Sequence, residues 1–404
     1  MQEPVSREPV PQEPISIVIA APPLNSGGTE HHLMHILPGL KERGFDISVV
    51  LLAGGGSLDA ALSESVSSMI SPARKWPRPI RTIQQALLIR QTARKARASV
   101  VHGFLSEPSL AAATAQLLMG ALMEPRPALV HGRRSLAFYS AKHTVARWLE
   151  RASHRLADAL VGNSNAVATE LVKESGQPDK VCTIWNGIPV AGPLRVKERS
   201  ECRKMFNLPE DAFVLTYVAN FHSYKGHEDL IYALSRIMDR LPQPWRVLLP
   251  GRDGGIEHEL RRKVGLLGLG DNVIFPGEWP GSRQPYAAAD IGLLVSHTEG
   301  FSNSLIEGMM AGLPMIATYV GGNIDAIDYG ETGILVPPHS PDDLADAILK
   351  LASMPAFRQQ LGTAAREKAL QKFCLTNCID QYEKLWRGLS ARRSGRPSDW
   401  LTVV

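Results

Sequence analysis

The sequence predicts an α/β protein built from two doubly wound parallel sheets, each covered by helices on both faces. Three observations carry that expectation. Short β-branched runs alternate with amphipathic stretches along most of the chain. The alternation breaks once, at the polar, Pro- and Gly-containing stretch 189–200, and then resumes. The 404 residues suffice for two domains at roughly 100–200 residues each.

The elements follow in order. Residues 1–14, MQEPVSREPVPQEP, hold almost no core formers and are read as a disordered extension without the apolar segment of a signal peptide. ISIVIA (15–20) is a strand, followed by a loop through Asn25–Gly28 and a helical pattern over 29–43. Further strand signals fall at 47–52, 99–101, 128–130, 159–161 and 181–184, with helical patterns between most of them. The run 109–123 is too short for a bilayer, which needs roughly 18–20 apolar residues, and is expected as a buried helix. After the break, strands are expected at 213–219, 246–249, 273–275, 291–295, 315–317 and 334–336, with one long helical pattern over 344–389. The domains are therefore placed at 15–190 and 209–375, with a linker at 191–208. Residues 376–404 are a C-terminal helix, with a crossing back to the first domain left open, and a tail. Two such units would face each other across one deep cleft. Ligands of these sheets bind outside the carboxyl ends of the strands. That makes Asn25–Gly28, His102, His131, Lys225, Arg252 and Glu299 the candidate positions.

Composition narrows the function. Four cysteines in so long a chain make no disulfide framework, and Cys374 and Cys378 lack a second ligand pair for zinc, so a reducing cytoplasm fits best. Residues 70–160 carry 15 Lys and Arg against 4 Asp and Glu. Such an excess suits a phosphate-bearing lipid, an anionic membrane surface or nucleic acid, and equally an ordinary solvated face. Arg74-Lys75-Trp76-Pro77-Arg78 is open to the same two readings. No nucleic-acid module is recognisable, and the first loop lacks the spaced G-x-G-x-x-G of a dehydrogenase. His31, His32 and His35 are expected as surface or packing residues.

The stretch TEGFSNSLIEGMMAGLP (298–314) is the most informative. Ser302 or Asn303 is expected to cap a helix that Gly312 stops. The N–H groups of Phe301, Ser302, Asn303 and Ser304 would then form an anion or hydroxyl site. Glu299 precedes the helix and Glu307 lies about a turn inside. A carboxylate beside an anion site makes sense if the ligand also carries hydroxyls, whereas Glu307 alone could merely favour the helix dipole.

Glu299 and Glu307, with the following GMMAGLPMIATYVGG and ETGILVPP, resemble the donor-site signature of the family 4 retaining glycosyltransferases. Asn25–Glu30, Val161–Ser164, Ile184–Ile188 and Tyr224–His227 are similar to the family's other segments, in the family's order. The resemblance implies the GT-B fold, two facing Rossmann-like domains, with 15–190 on the acceptor side and 209–375 on the donor side. It implies that Lys225 holds the diphosphate of a UDP- or GDP-linked sugar, that Glu307 takes the ribose hydroxyls, and that Glu299 with the backbone of Gly300–Ser304 contacts the transferred hexose. Gly27 and Gly28 would let the first domain's backbone approach the phosphates. The family's usual arginine five residues before the lysine is Asn220 here, and Asn is no substitute for a bidentate cation. Arg252 is the candidate replacement. Asp325 stands where Glu is frequent.

His102 and His131 each end a short strand and are expected to face the cleft, either as structural hydrogen-bonders or as groups that brace the sugar or orient the acceptor. Arg133 and Arg134 after His131 resemble the acceptor side of exopolysaccharide-type members. Glu299, His131 and Lys225 are thus the catalytic candidates. The expected reaction is retaining hexosyl transfer to a glycan or polyprenyl-phosphate-linked acceptor, without metal or cofactor, in the cytoplasm or peripherally on the inner face of the membrane. A nucleotide-sugar epimerase and a noncatalytic sugar-nucleotide-binding subunit are the alternatives.

Overall fold

The computed structural model describes the chain except residues 1–13, 25–26, 55, 74–76, 137–143, 191, 193, 195, 280–282 and 394–404. Most of the N-terminal extension, Asn25, Ser26 and Arg74–Trp76 therefore lie outside the described residues.

Strands β1 (Ile15–Ala21), β2 (Phe45–Leu51), β3 (Ser68–Ile70), β4 (Val100–Phe104), β5 (Ala128–Arg133), β6 (Ala159–Gly162) and β7 (Val181–Thr183) form one sheet. Their order is β3-β2-β1-β4-β5-β6-β7. Strands β8 (Phe213–Thr216), β9 (Trp245–Leu248), β10 (Val273–Ile274), β11 (Ile291–Leu294), β12 (Met315–Thr318) and β13 (Gly333–Val336) form a second, in the order β10-β9-β8-β11-β12-β13. The pairings within the second sheet are all parallel. In each sheet the order reverses beside the first strand, at β1/β4 and at β8/β11. Burial explains the run-like strand sequences: Val214, Leu215, Val247, Leu248, Ile291, Leu294 and Ile316 are fully buried. Sheets covered on both faces need apolar residues at every position rather than at alternate ones.

By packing, the chain divides into a unit of the described residues of 1–131, 156–159 and 382–402 and a unit of 132–155 and 160–381. This division differs from the sequence-based boundaries, since 132–155 and 160–190 go with the second unit. The continuous helix read over 344–389 is three helices, Pro341–Ser353, Pro355–Lys372 and Leu375–Arg393. Pro355 explains the first break, since proline is favoured at a helix start and the residue before it disfavours helical geometry. From Tyr382 the last helix belongs to the first unit, where Tyr382 Oη meets His32 Nε2 at 3.2 Å and Arg43 pairs with Glu383 at 2.6 Å. The sequence reading missed β3, a three-residue, half-buried edge strand whose apolar signal is too short to register. No described helix is long and apolar enough to cross a membrane.

Candidate active site

The order reversal of the second sheet puts two loops side by side. One leaves β8 and runs through Tyr217–Gly226. The other leaves β11 and runs through Val295–Ser302. Buried Tyr217 joins them: its hydroxyl donates to the Lys225 carbonyl at 2.8 Å and meets Ser296 Oγ at 3.1 Å. The His297 amide donates to the Tyr224 carbonyl at 2.7 Å, and Thr318 Oγ1 at the end of β12 donates to the Ser296 carbonyl. Gly226 has φ +67°, and a Cβ there would stand 2.1 Å from the Val295 carbonyl. At Gly321, φ +47°, a Cβ would fall 1.7 Å from the carbonyl of Glu299. Only glycine allows either approach.

Lys225 and Glu299 meet where these loops touch. Lys225 Nζ donates to Glu299 Oε1 at 2.5 Å, and Ser296 Oγ donates to the same oxygen at 2.7 Å. Both side chains are largely but not fully covered, 18% and 11% exposed. Burial works against the ammonium, but the Glu299 carboxylate outweighs it and holds Lys225 above its ordinary value. A protonated amine has three N–H donors. One goes to Glu299, which leaves two that can donate to an anion. Behind this pair, His227 stacks on Tyr217 at 4.6 Å. Burial first, then Lys225, push His227 down to about 3, so it stays neutral and serves as packing.

The helix Asn303–Met310 begins directly after the second loop. Ser302 is its N-cap residue, with backbone φ −88° and ψ 119°, but its side chain makes no cap bond to the helix. Its Oγ pairs with Ser304 Oγ at 3.0 Å instead. Phe301 and Ser302 are buried, while Asn303, Ser304 and Glu307 are half-buried. Tyr286 donates its hydroxyl to the Ser304 carbonyl at 2.5 Å, and burial followed by the Glu307 charge pushes that phenol well above its usual range.

Asn220 and Arg252 are adjacent through the main chain: Asn220 Oδ1 accepts from the Arg252 amide at 3.1 Å, and the Phe221 amide donates to the Arg252 carbonyl at 2.9 Å. Arg252 is exposed. Asn220 therefore braces the turn that carries Arg252, a job an arginine side chain could not do with an acceptor oxygen.

Asn186, within the segment Ile184–Ile188, is a hub. It accepts from Arg134 at 2.7 Å, donates to Asn303 Oδ1 at 2.6 Å and donates to the Phe301 carbonyl at 3.4 Å. An Asn that both accepts and donates carries no periodicity signal, which is why the spacing did not single it out. Asp325 accepts from the Asn165 amide at 2.7 Å and from Trp185 Nε1 at 3.2 Å.

Other candidates lie elsewhere. His102 is fully buried rather than facing a ligand: it stacks on Phe104 at 4.2 Å and accepts from Trp386 Nε1 at 3.3 Å. The expectation that it lines a ligand surface is corrected, because β4 runs on to Phe104 and His102 lies mid-strand in a sheet covered on both faces. His131 is also buried, with 2% exposure. Arg133 is corrected likewise: it is buried and paired with Glu174 at 2.6 Å, with Glu170 at 3.8 Å. Gly27 caps the helix Gly28–Glu42, accepting from the His31 amide at 3.1 Å, and a Cβ on Gly28 would meet nothing. Arg133→Met is expected to lower stability by about 1–2 kcal/mol, less than a fully stranded buried charge would cost, since Glu174 loses its nearest cation but keeps Arg151 and His154 at 4.0 Å, and to leave ligand affinity unchanged. Denaturant unfolding beside ligand titration checks both halves.

Two parallel α/β sheets of this strand order are the architecture of the GT-B glycosyltransferase fold. Residues 198–368 match the family described as glycosyl transferases group 1, and residues 26–191 match glycosyltransferase family 4. The chain belongs to this family. Among curated relatives, the D-inositol 3-phosphate glycosyltransferase of Kribbella flavida is 34% identical over 227 residues, 53% of this chain and 52% of that protein. The N-acetyl-alpha-D-glucosaminyl L-malate synthase of Bacillus anthracis is 28% identical over 225 residues, 55% and 58% of the two chains. The chain thus spans between half and three fifths of the length of these relatives. Among solved structures, Anabaena HepE in complex with UDP superposes with a TM-score of 0.82 at 20% identity, covering 92% of this chain and 100% of that one. Sucrose-phosphate synthase from Thermosynechococcus elongatus gives 0.78 at 22% identity, covering 94% and 100%. At these identities the likeness concerns the fold.

Proposed function

We propose that the protein moves a hexosyl group from a nucleotide diphosphate sugar to a hydroxyl of an acceptor, with retention at the anomeric carbon and no metal in the reaction. The observation that carries this reading is the direct pairing of Lys225 with Glu299 at the β8/β11 switch point, beside the start of the helix Asn303–Met310. Lys225 and the helix N–H groups stabilise the negative charge that grows on the leaving diphosphate. Glu299, kept oriented by Lys225 and Ser296, accepts hydrogen bonds from hydroxyls of the transferred sugar. Glu307 takes the ribose. The leaving phosphate itself receives the acceptor's proton, so no second carboxylate is required as nucleophile.

Support for the substrate class comes from several sides. Neighbours in fold have been solved with UDP and with UDP-glucose. The similar curated relatives are named for glycosyl transfer to an inositol phosphate or to malate, both small polar acceptors. A phosphate-bearing acceptor suits the basic excess of 70–160. On the helices Arg78–Lys95 and Ser106–Ala121 and just beyond, Ile83, Leu87, Leu117 and Met123 are exposed, as is Arg94, which also pairs with Glu124 at 3.0 Å. That mixture favours an anionic lipid surface at the cytoplasmic face.

The test is a thermal-shift screen of UDP- and GDP-sugars, followed by product analysis with phosphorylated polyol and polyprenyl-phosphate acceptors. The reading expects one donor to raise the melting temperature and to be consumed only when an acceptor is present. Donor consumption without acceptor would indicate an epimerase or hydrolase, and binding with no turnover on any acceptor would indicate a noncatalytic subunit. Flotation with anionic but not neutral vesicles is the corresponding check on the lipid surface.

A further inference from the structure

Three side chains from three elements of the second unit converge just beyond the Lys225–Glu299 pair. Asp229 lies in the first turn of the helix His227–Ile237, His297 lies in the loop after β11, and His339 follows β13. His297 Nε2 and Asp229 Oδ2 are 2.8 Å apart, and the rings of His297 and His339 are centred 3.6 Å apart. One ligand atom from each of the three lies within 4.8 Å of the others. Tetrahedral zinc with nitrogen and oxygen ligands at about 2.0–2.2 Å separates its ligand atoms by roughly 3.3 Å, so a cation would part His297 Nε2 and Asp229 Oδ2 from 2.8 Å and draw exposed His339 inward.

A simple explanation accounts for part of this. An acidic residue in a first turn favours the helix dipole, and a His–Asp hydrogen bond is common. It does not account for His339. That residue holds φ +57°, in the left-handed region that side-chain-bearing residues seldom adopt, and the conformation places its imidazole over His297. The absence of a side chain at Gly226 keeps the space next to His297 Nε2 open, since a Cβ there would stand 3.1 Å from it.

We propose that Asp229, His297 and His339 bind one transition-metal cation of the zinc class, through two imidazoles and a carboxylate with a fourth position left to water. The metal takes no part in bond cleavage. It ties the loop that carries Glu299 to the helix that follows Lys225, and so adjusts the rigidity of the site described above. The metal claim stands independently of the glycosyl-transfer reading, because it is read out by binding alone. All four cysteines are buried and do not compete.

The experiment titrates Zn²⁺ into the untagged, chelator-treated full chain by calorimetry at neutral pH, with Co²⁺ absorption as a reporter of His and oxygen coordination. One site with a Kd below about 10 μM is expected, together with a rise in melting temperature. His339→Asn retains a residue that tolerates the left-handed backbone, so its circular dichroism should match wild type while Zn²⁺ affinity falls at least about tenfold. Asp229→Asn should weaken binding similarly. No saturable zinc site in the wild type, or a His339→Asn protein that binds as tightly, would overturn the proposal.

Discussion

Lys225→Ala is expected to reduce kcat/KM for the donor by at least about a thousandfold, the largest effect of any single change in the site. Two losses combine. The cation that offsets charge on the leaving diphosphate disappears, a contribution of about 3–4 kcal/mol where one preorganised donor is removed. Glu299 is also left beside the diphosphate with only the Ser296 hydroxyl to hold it, so an attractive contact becomes a repulsive one. Stability should fall as well, but modestly. The pair is 18% and 11% exposed, and solvent reaches the stranded carboxylate, so the cost lies below the roughly 3–5 kcal/mol of a fully buried broken pair. Steady-state kinetics against a melting curve separates the two effects. A loss of less than about tenfold, in a folded variant, would remove Lys225 from the chemistry.

Glu299→Gln should come second, lowering turnover about a hundredfold while the melting temperature moves by only a few degrees. The amide oxygen still accepts from Ser296 and from Lys225, so the local geometry has no reason to collapse. What vanishes is the charge. With it goes the main influence holding Lys225 above its ordinary value, and the strength of a charge-assisted hydrogen bond to a sugar hydroxyl. A hundredfold corresponds to about 2.7 kcal/mol of lost transition-state stabilisation. Glu299→Ala should be at least as inactive. Because the two residues share one hydrogen bond, their effects should not add, and the double variant Lys225→Ala/Glu299→Gln should be barely slower than Lys225→Ala. Simple additivity in that cycle would show that the pair does not act as a unit.

Much of this arrangement was legible in the sequence because it is local. β-Branched runs between amphipathic stretches place Lys225 and Glu299 after strands, and a shared sheet then brings them together from 74 residues apart. What stayed illegible depends on tertiary pairing. His102 and Arg133 look like Lys225 in sequence, polar groups at or after a strand end, yet they turn inward to Trp386 and Glu174. Nothing in their own neighbourhood announces those partners. Asn186 was hidden for the opposite reason, since its three hydrogen bonds reach segments 52, 115 and 117 residues away. The strand β3 escaped because three half-buried residues carry too little apolar pattern.

The backbone contacts around Glu299 have a consequence for anyone wishing to redirect the protein toward a new sugar. The Glu299 carbonyl rests against Gly321 and the Val295 carbonyl against Gly226, with no room for even a methyl group. Randomised libraries should keep both positions constant, for nearly every clone altered there would be spent on misplaced backbone. Ser304, half-buried and with its hydroxyl only against that of Ser302, is where diversity can be explored without dismantling the frame, whereas Asn303 is held by Asn186.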